Sequence, residues 1–176
     1  NIALELRKLV GESGAYVLLT RESDVGLYTE GETIRDKKRE DLVNRKKMQE
    51  KDNADIFVSI HLNSFQQSRY FGAQTFYPPN CEESRELALS IQQELIRTLK
   101  NKNKRVAKQK DDVFLLKGCQ MPTVLVECGF LSNPKEEKLL QRPKYQKKIA
   151  WGIYIGILDY FQKQGIDVFM PSISEQ

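Results

Sequence analysis

The 176-residue chain is short of the residues that usually announce chemistry: it has one histidine, three cysteines and one tryptophan. Cys81, Cys119 and Cys128 form no Cys-x-x-Cys pair, which argues against a cysteine-based zinc site or a thioredoxin-like redox motif. An odd cysteine count is no disulfide framework, and free thiols are expected. No run of about 18 apolar residues occurs, so no membrane span is expected. There is no internal repeat, no linker-like stretch and no Gly-rich phosphate loop. With 40% hydrophobic and 30% charged residues, the composition excludes a disordered chain, a collagen-like repeat and a disulfide mini-scaffold.

What is present suits one globular domain, given a prior of about 150 residues per domain. The 28 basic and 24 acidic residues leave a net charge of +4, a mild preference for anionic surroundings. Helical and strand patterns alternate. Residues 2–10 carry an apolar helical stripe, and 15–19 (AYVLL) read as a short buried strand. A polar stretch, 20–38, is long for a loop in a compact domain. A charged helix is expected over 39–51 and strands over 54–60 and 71–77. In 82–99, Leu87, Ile91, Leu95 and Leu99 recur every four residues, an amphipathic helix. Segments 113–117 and 123–126 are strand-like, Pro134 suits a first helical turn, and 149–161 reads as a buried helix. The alternation implies an α/β sheet, mostly parallel, with helices on both faces.

Two residues stand out for chemistry. His61 follows the apolar strand in SIHLNS, and Glu127 ends the apolar run TVLVE. In open parallel sheets the carboxyl ends of strands line the ligand crevice. Taken by itself, His61 is either a structural imidazole or a ligand. Glu127 is either paired with a lysine, a cap for the next helix, or a working carboxylate, since burying it alone is costly. A histidine and a carboxylate at one rim suit metal-assisted hydrolysis. A catalytic zinc usually takes three protein ligands, and these residues give no recognisable full set.

LLTRESD (18–24), ADIFVSIHLNS (54–64), GAQTFY (72–77) and TVLVECGFLSNPKEEKLL (123–140) together resemble the zinc-dependent N-acetylmuramoyl-L-alanine amidases. TRESD, TEGET (29–33), PKYQ (143–146) and GILDYF (156–161) are most similar to the spore-germination branch of that family. The resemblance implies a single twisted sheet of about six mostly parallel strands with helices on both faces. It assigns residues 1–163 to the catalytic domain, without its first strand, and 164–176 to a C-terminal tail. It implies Zn2+ as cofactor, with His61 as one ligand and Glu127 as the catalytic glutamate. The family's other two ligands, a histidine and a glutamate, are expected upstream of Asn1; Asn1 opens the chain in place of methionine, so a longer or processed polypeptide is expected. Glu50 stands where relatives carry asparagine and is given no role.

The implied reaction is hydrolysis of the amide between N-acetylmuramic acid and the L-alanine of peptidoglycan stem peptides. In the spore branch this occurs during cortex maturation and leads to muramic δ-lactam. It implies an extracytoplasmic location, in the cell wall or the forespore intermembrane space, and an accessory secreted protein as possible partner. A catalytically inactive wall- or partner-binding module of the same fold is the alternative. The run 100–110 (KNKNKRVAKQK) holds six lysines or arginines and no acid. It reads as a solvated loop or as a contact for an anionic polymer. No aromatics interleave for base stacking, and no nucleic-acid partner is expected.

Overall fold

The computed structural model describes residues 1–51, 53–118 and 120–168. Its strands are β1 (Phe57–Asn63), β2 (Gln74–Tyr77), β3 (Lys108–Gln109) and β4 (Thr123–Phe130). Its helices are α1 (Ile2–Glu12), α2 (Ile34–Lys51), α3 (Glu82–Leu99), α4 (Pro134–Leu140) and α5 (Pro143–Lys163), with a 3-10 turn at Phe114–Leu116. The described part of the predicted tail continues only to Val168, and Cys119 and residues 169–176 lie outside the described residues.

The four strands form one mixed sheet in the order β1-β4-β2-β3. β1 runs parallel to β4 and β2 parallel to β3, while β2 and β4 are antiparallel. This corrects the expectation of about six mostly parallel strands. Two of the predicted strands did not form. Segment 15–19 pairs with no strand among the described residues, and Tyr16 is 90% exposed and Leu18 47% exposed. Segment 113–117 folds as the 3-10 turn, which buries the consecutive Leu115 and Leu116 together. A strand would send those two side chains to opposite faces.

One face of the sheet carries the main core. Val124, Val126 and Cys128 of β4 pack with Leu87, Ile91 and Leu95 of α3 and with Ile149, Ile153 and Ile157 of α5. The two helices approach closely at Gly156, where an added Cβ would lie 2.5 Å from Ile91 Cα and 2.8 Å from Ile91 N. α1 lies on α5, with Ile2 and Leu6 buried in the same core. On the opposite face, α2 reaches β4 through Gln49, whose Nε2 donates to Thr123 Oγ1 at 3.0 Å. Pro134 begins α4 as expected, and Asn133 Oδ1 caps it by accepting from Lys135 N (3.0 Å) and Glu136 N (3.2 Å). Cys81 and Cys128 are free thiols, as expected for both.

Candidate active site

Residues directly opposite on adjacent strands share a face of the sheet. His61 pairs in register with Glu127 on the parallel side of β4, and Gln74 pairs with Glu127 on the antiparallel side. The three side chains therefore form a row across the sheet, away from the α3–α5 core. Ser59 stands two residues before His61 on the same face, and its Oγ lies 2.8 Å from His61 Nε2. In the Nε2–H tautomer the imidazole donates to Ser59 and keeps a lone pair on Nδ1.

After this row the register slips. His61 is opposite Glu127, but Asn63 is opposite Phe130, so β4 carries one extra residue in a bulge. The bulge returns Phe130 to the His61 face. Glu136 at the start of α4 holds this bend, its Oε2 accepting from Phe130 N and its Oε1 from Gly72 N, each at 2.8 Å.

His61 is exposed as a residue, yet lost solvation of its ring is the main cause of a pKa below the ordinary histidine value. The nearby Arg45 cation of α2 adds to that lowering. A neutral imidazole is the form that binds metals. Glu127 is half-buried, and burial raises its pKa, opposed by the charge of Lys110. Its Oε2 is buried and has no hydrogen-bond partner among the described residues. A carboxylate held with one oxygen unsatisfied next to a neutral imidazole suits a metal centre in kind. The described residues contain no group of three or more His, Cys, Asp or Glu able to hold a metal.

Residues 1–159 match the family described as N-acetylmuramoyl-L-alanine amidase. The chain belongs to this amidase family. It is 42% identical over 166 residues to the germination-specific N-acetylmuramoyl-L-alanine amidase of Bacillus subtilis, covering 94% of this chain and 70% of that protein. The structure of the CwlD amidase from Clostridioides difficile, solved in complex with the GerS lipoprotein, superposes with a TM-score of 0.90 at 53% identity. That match covers 92% of this chain and 83% of the other. The catalytic domain of the amidase CwlV from Bacillus (Paenibacillus) polymyxa gives a TM-score of 0.75 at 28% identity, covering 92% and 81%.

The amidase is thus a peptidoglycan hydrolase of the N-acetylmuramoyl-L-alanine amidase class, in a family associated with zinc. The fold brings His61 and Glu127 side by side. Sequence reading missed Ser59, Gln74, Arg45 and Lys110 around them. Ser59 was accessible from its spacing of two before His61 in a strand. Gln74, a polar residue inside an otherwise apolar strand, was a weaker signal. Nothing local marked Arg45 or Lys110, which arrive from a charged helix and a basic loop. No helix among the described residues is long and apolar enough to cross a membrane.

Proposed function

We propose that this amidase uses zinc held in part by His61, with Glu127 as the group that moves the proton. The family's remaining ligands, a histidine and a glutamate ahead of Asn1, belong to the same proposal. The observation that carries it is the unsatisfied, buried Oε2 of Glu127 beside a neutral imidazole. His61 would offer Nδ1 to the metal while Ser59 keeps the ring from turning. Zinc in such a site supplies Lewis-acid polarisation of the scissile carbonyl and a water acidified to near neutral pH.

Glu127 then acts as general base and general acid. Its carboxylate accepts the proton of the attacking water and delivers it to the nitrogen of L-alanine as the lactyl–alanine amide breaks. Burial suits it to both tasks, because a carboxyl group with a raised pKa holds a proton long enough to return it. The charge of Lys110 limits that rise and keeps the ionised form accessible.

The biological setting we propose is spore cortex peptidoglycan, where removal of the peptide precedes δ-lactam formation. The germination-specific relative in Bacillus subtilis supports it. An extracytoplasmic location follows from that substrate. The lipoprotein bound to the Clostridioides difficile relative supports an exported accessory partner for this chain as well.

The test is Glu127→Gln in the protein as its natural gene encodes it. Muropeptide release should fall by about 10² to 10⁴, with zinc content unchanged and the fold intact. Zinc lost together with activity would make Glu127 a metal ligand. Full activity would end the mechanism. His61→Ala should lose most of the metal. Absence of hydrolysis by the unsubstituted, zinc-loaded protein would favour a binding module of the same fold.

A further inference from the structure

Two cations of the basic run 100–110 stand on the β2–β3 side of Glu127. Gln74, the register partner of Glu127, is buried, and its Oε1 accepts from Arg105 Nη1 at 2.9 Å. Its Nε2 donates to Val106 O at 2.9 Å. Arg105 Nε donates to Phe71 O at 2.7 Å. The guanidinium carbon lies 4.7 Å from the centre of the Phe130 ring and 5.9 Å from that of Tyr70. The Arg105 backbone is held too: its N donates to Asn103 Oδ1 at 3.0 Å, and its carbonyl accepts from Gln92 Nε2 at 3.1 Å. Asn103 in turn donates to Ala73 O at 2.7 Å and sits in the space left by Gly72, whose φ is +90°. An arginine fixed at backbone, Nε, Nη1 and ring face has already lost the side-chain freedom that binding would otherwise remove.

Fixed as it is, this guanidinium forms no ion pair among the described residues. Its Nη2 makes no hydrogen bond among the described residues, and no carboxylate oxygen there lies within 4.0 Å of it. Glu136 senses its charge, but both Glu136 oxygens are committed to the Gly72 and Phe130 N–H groups. Lys110 stands alongside, its Nζ 5.5 Å from the centre of the Phe76 ring, on the same sheet face as Gln74. Its partner, Asp112, is exposed and 3.3 Å away.

The peptide that leaves muramic acid begins with L-alanine and continues with an acidic residue, so carboxylates follow the scissile amide closely. Planar arginine forks recognise carboxylates through paired, charge-assisted hydrogen bonds. We propose that Arg105, with Lys110 beside it, binds a carboxylate of the stem peptide, laying the peptide over β2 with its amide at Glu127. This rests on the amidase mechanism above and adds a substrate-binding residue to it. Arg105 then selects free acid stems over amidated ones.

The test uses two probes, N-acetylmuramoyl-L-alanyl-D-glutamic acid and its diamide. Both are titrated calorimetrically into the zinc-loaded natural protein carrying Glu127→Gln to stop turnover. The acid should bind about 10- to 100-fold more tightly than the diamide. Adding Arg105→Gln should erase that preference while leaving diamide affinity within about threefold, and adding Lys110→Gln should reduce it several-fold. Equal binding of both probes with Arg105 intact overturns the proposal without any further variant. A full preference persisting in folded Arg105→Gln overturns it as well. Should Arg105→Gln fail to fold, Arg105→Lys removes the fork but keeps the charge, and an undiminished preference there is equally fatal. Hydrolysis of the acid by the unsubstituted enzyme is measured separately. Hydrolysis without acid preference leaves the amidase mechanism standing and removes the role of Arg105.

Discussion

β4 and segment 15–19 are both short apolar runs rich in strand-forming residues, and they end in opposite states. Every residue of β4 is buried except Glu127, which is half-buried. In 15–19 no residue is buried and Tyr16 is among the most exposed apolar side chains of the molecule. The difference lies in their neighbours. β4 has β1 on one edge, β2 on the other, and α3 and α5 over one face. Segment 15–19 pairs with no strand among the described residues. Apolar content makes a strand possible, but ladder partners on its edges make it form, because unpaired backbone N–H and C=O groups cannot be buried. β4, flanked on both edges, is also where a carboxylate is held half-buried and unsatisfied.

The contrast can be broken from the side of β4. Gly156→Val places a branched side chain against the Ile91 backbone and forces α5 away from α3, stripping the layer that covers β4. A loss of about 3 kcal/mol or more is expected in urea unfolding, the upper end for overpacked cores. Glu136→Ala leaves the buried N–H groups of Phe130 and Gly72 without acceptors and should cost about 2 to 5 kcal/mol, read the same way. Glu136 also carries a pH signature. Burial raises its folded pKa above the unfolded value of 4.5. Its stabilising share is complete below that value and is lost as pH rises through the folded pKa. Natural protein should therefore lose stability relative to Glu136→Gln over that interval.

Smaller effects sharpen the contrast. Val126→Ala removes two buried methyl groups from the centre of β4 and should cost about 2 kcal/mol. Tyr16→Ser should change stability by less than about 0.5 kcal/mol, since the ring is 90% exposed. Hydrogen exchange should separate the same two segments, with amides of 124–128 protected to the level of global unfolding and those of 15–19 exchanging far earlier. Strong protection across 15–19 would mean that another strand occupies its edge.

Much of the helical layer was legible in advance. α3 spans Glu82–Leu99, the residues its four-residue leucine spacing marks, and α4 begins at Pro134 behind an asparagine cap. A helix satisfies its own backbone, so local pattern decides it. Glu127 and His61 stood out because a charged or ionisable group ending an apolar run needs a reason. The strands were less legible, as 113–117 shows: its apolar residues fit a strand, yet burying Leu115 and Leu116 together needs a turn. Arg105 was visible only as one charge among six in its run.

By itself the sequence determined where helices stand, although α2 starts at Ile34 rather than residue 39 and α5 at Pro143 rather than residue 149. It singled out His61 and Glu127, which lie within β1 and β4 rather than at the strand ends expected. Through its motifs, it determined the amidase family. Tertiary structure alone decided which apolar runs became strands, because each strand borrows its hydrogen bonds from a neighbour elsewhere in the chain. It also decided that Gln74 would stand beside Glu127 and that Arg105, 31 residues further on, would be clamped to Gln74. Register and loop closure act over such separations, and no local spacing of residues encodes them.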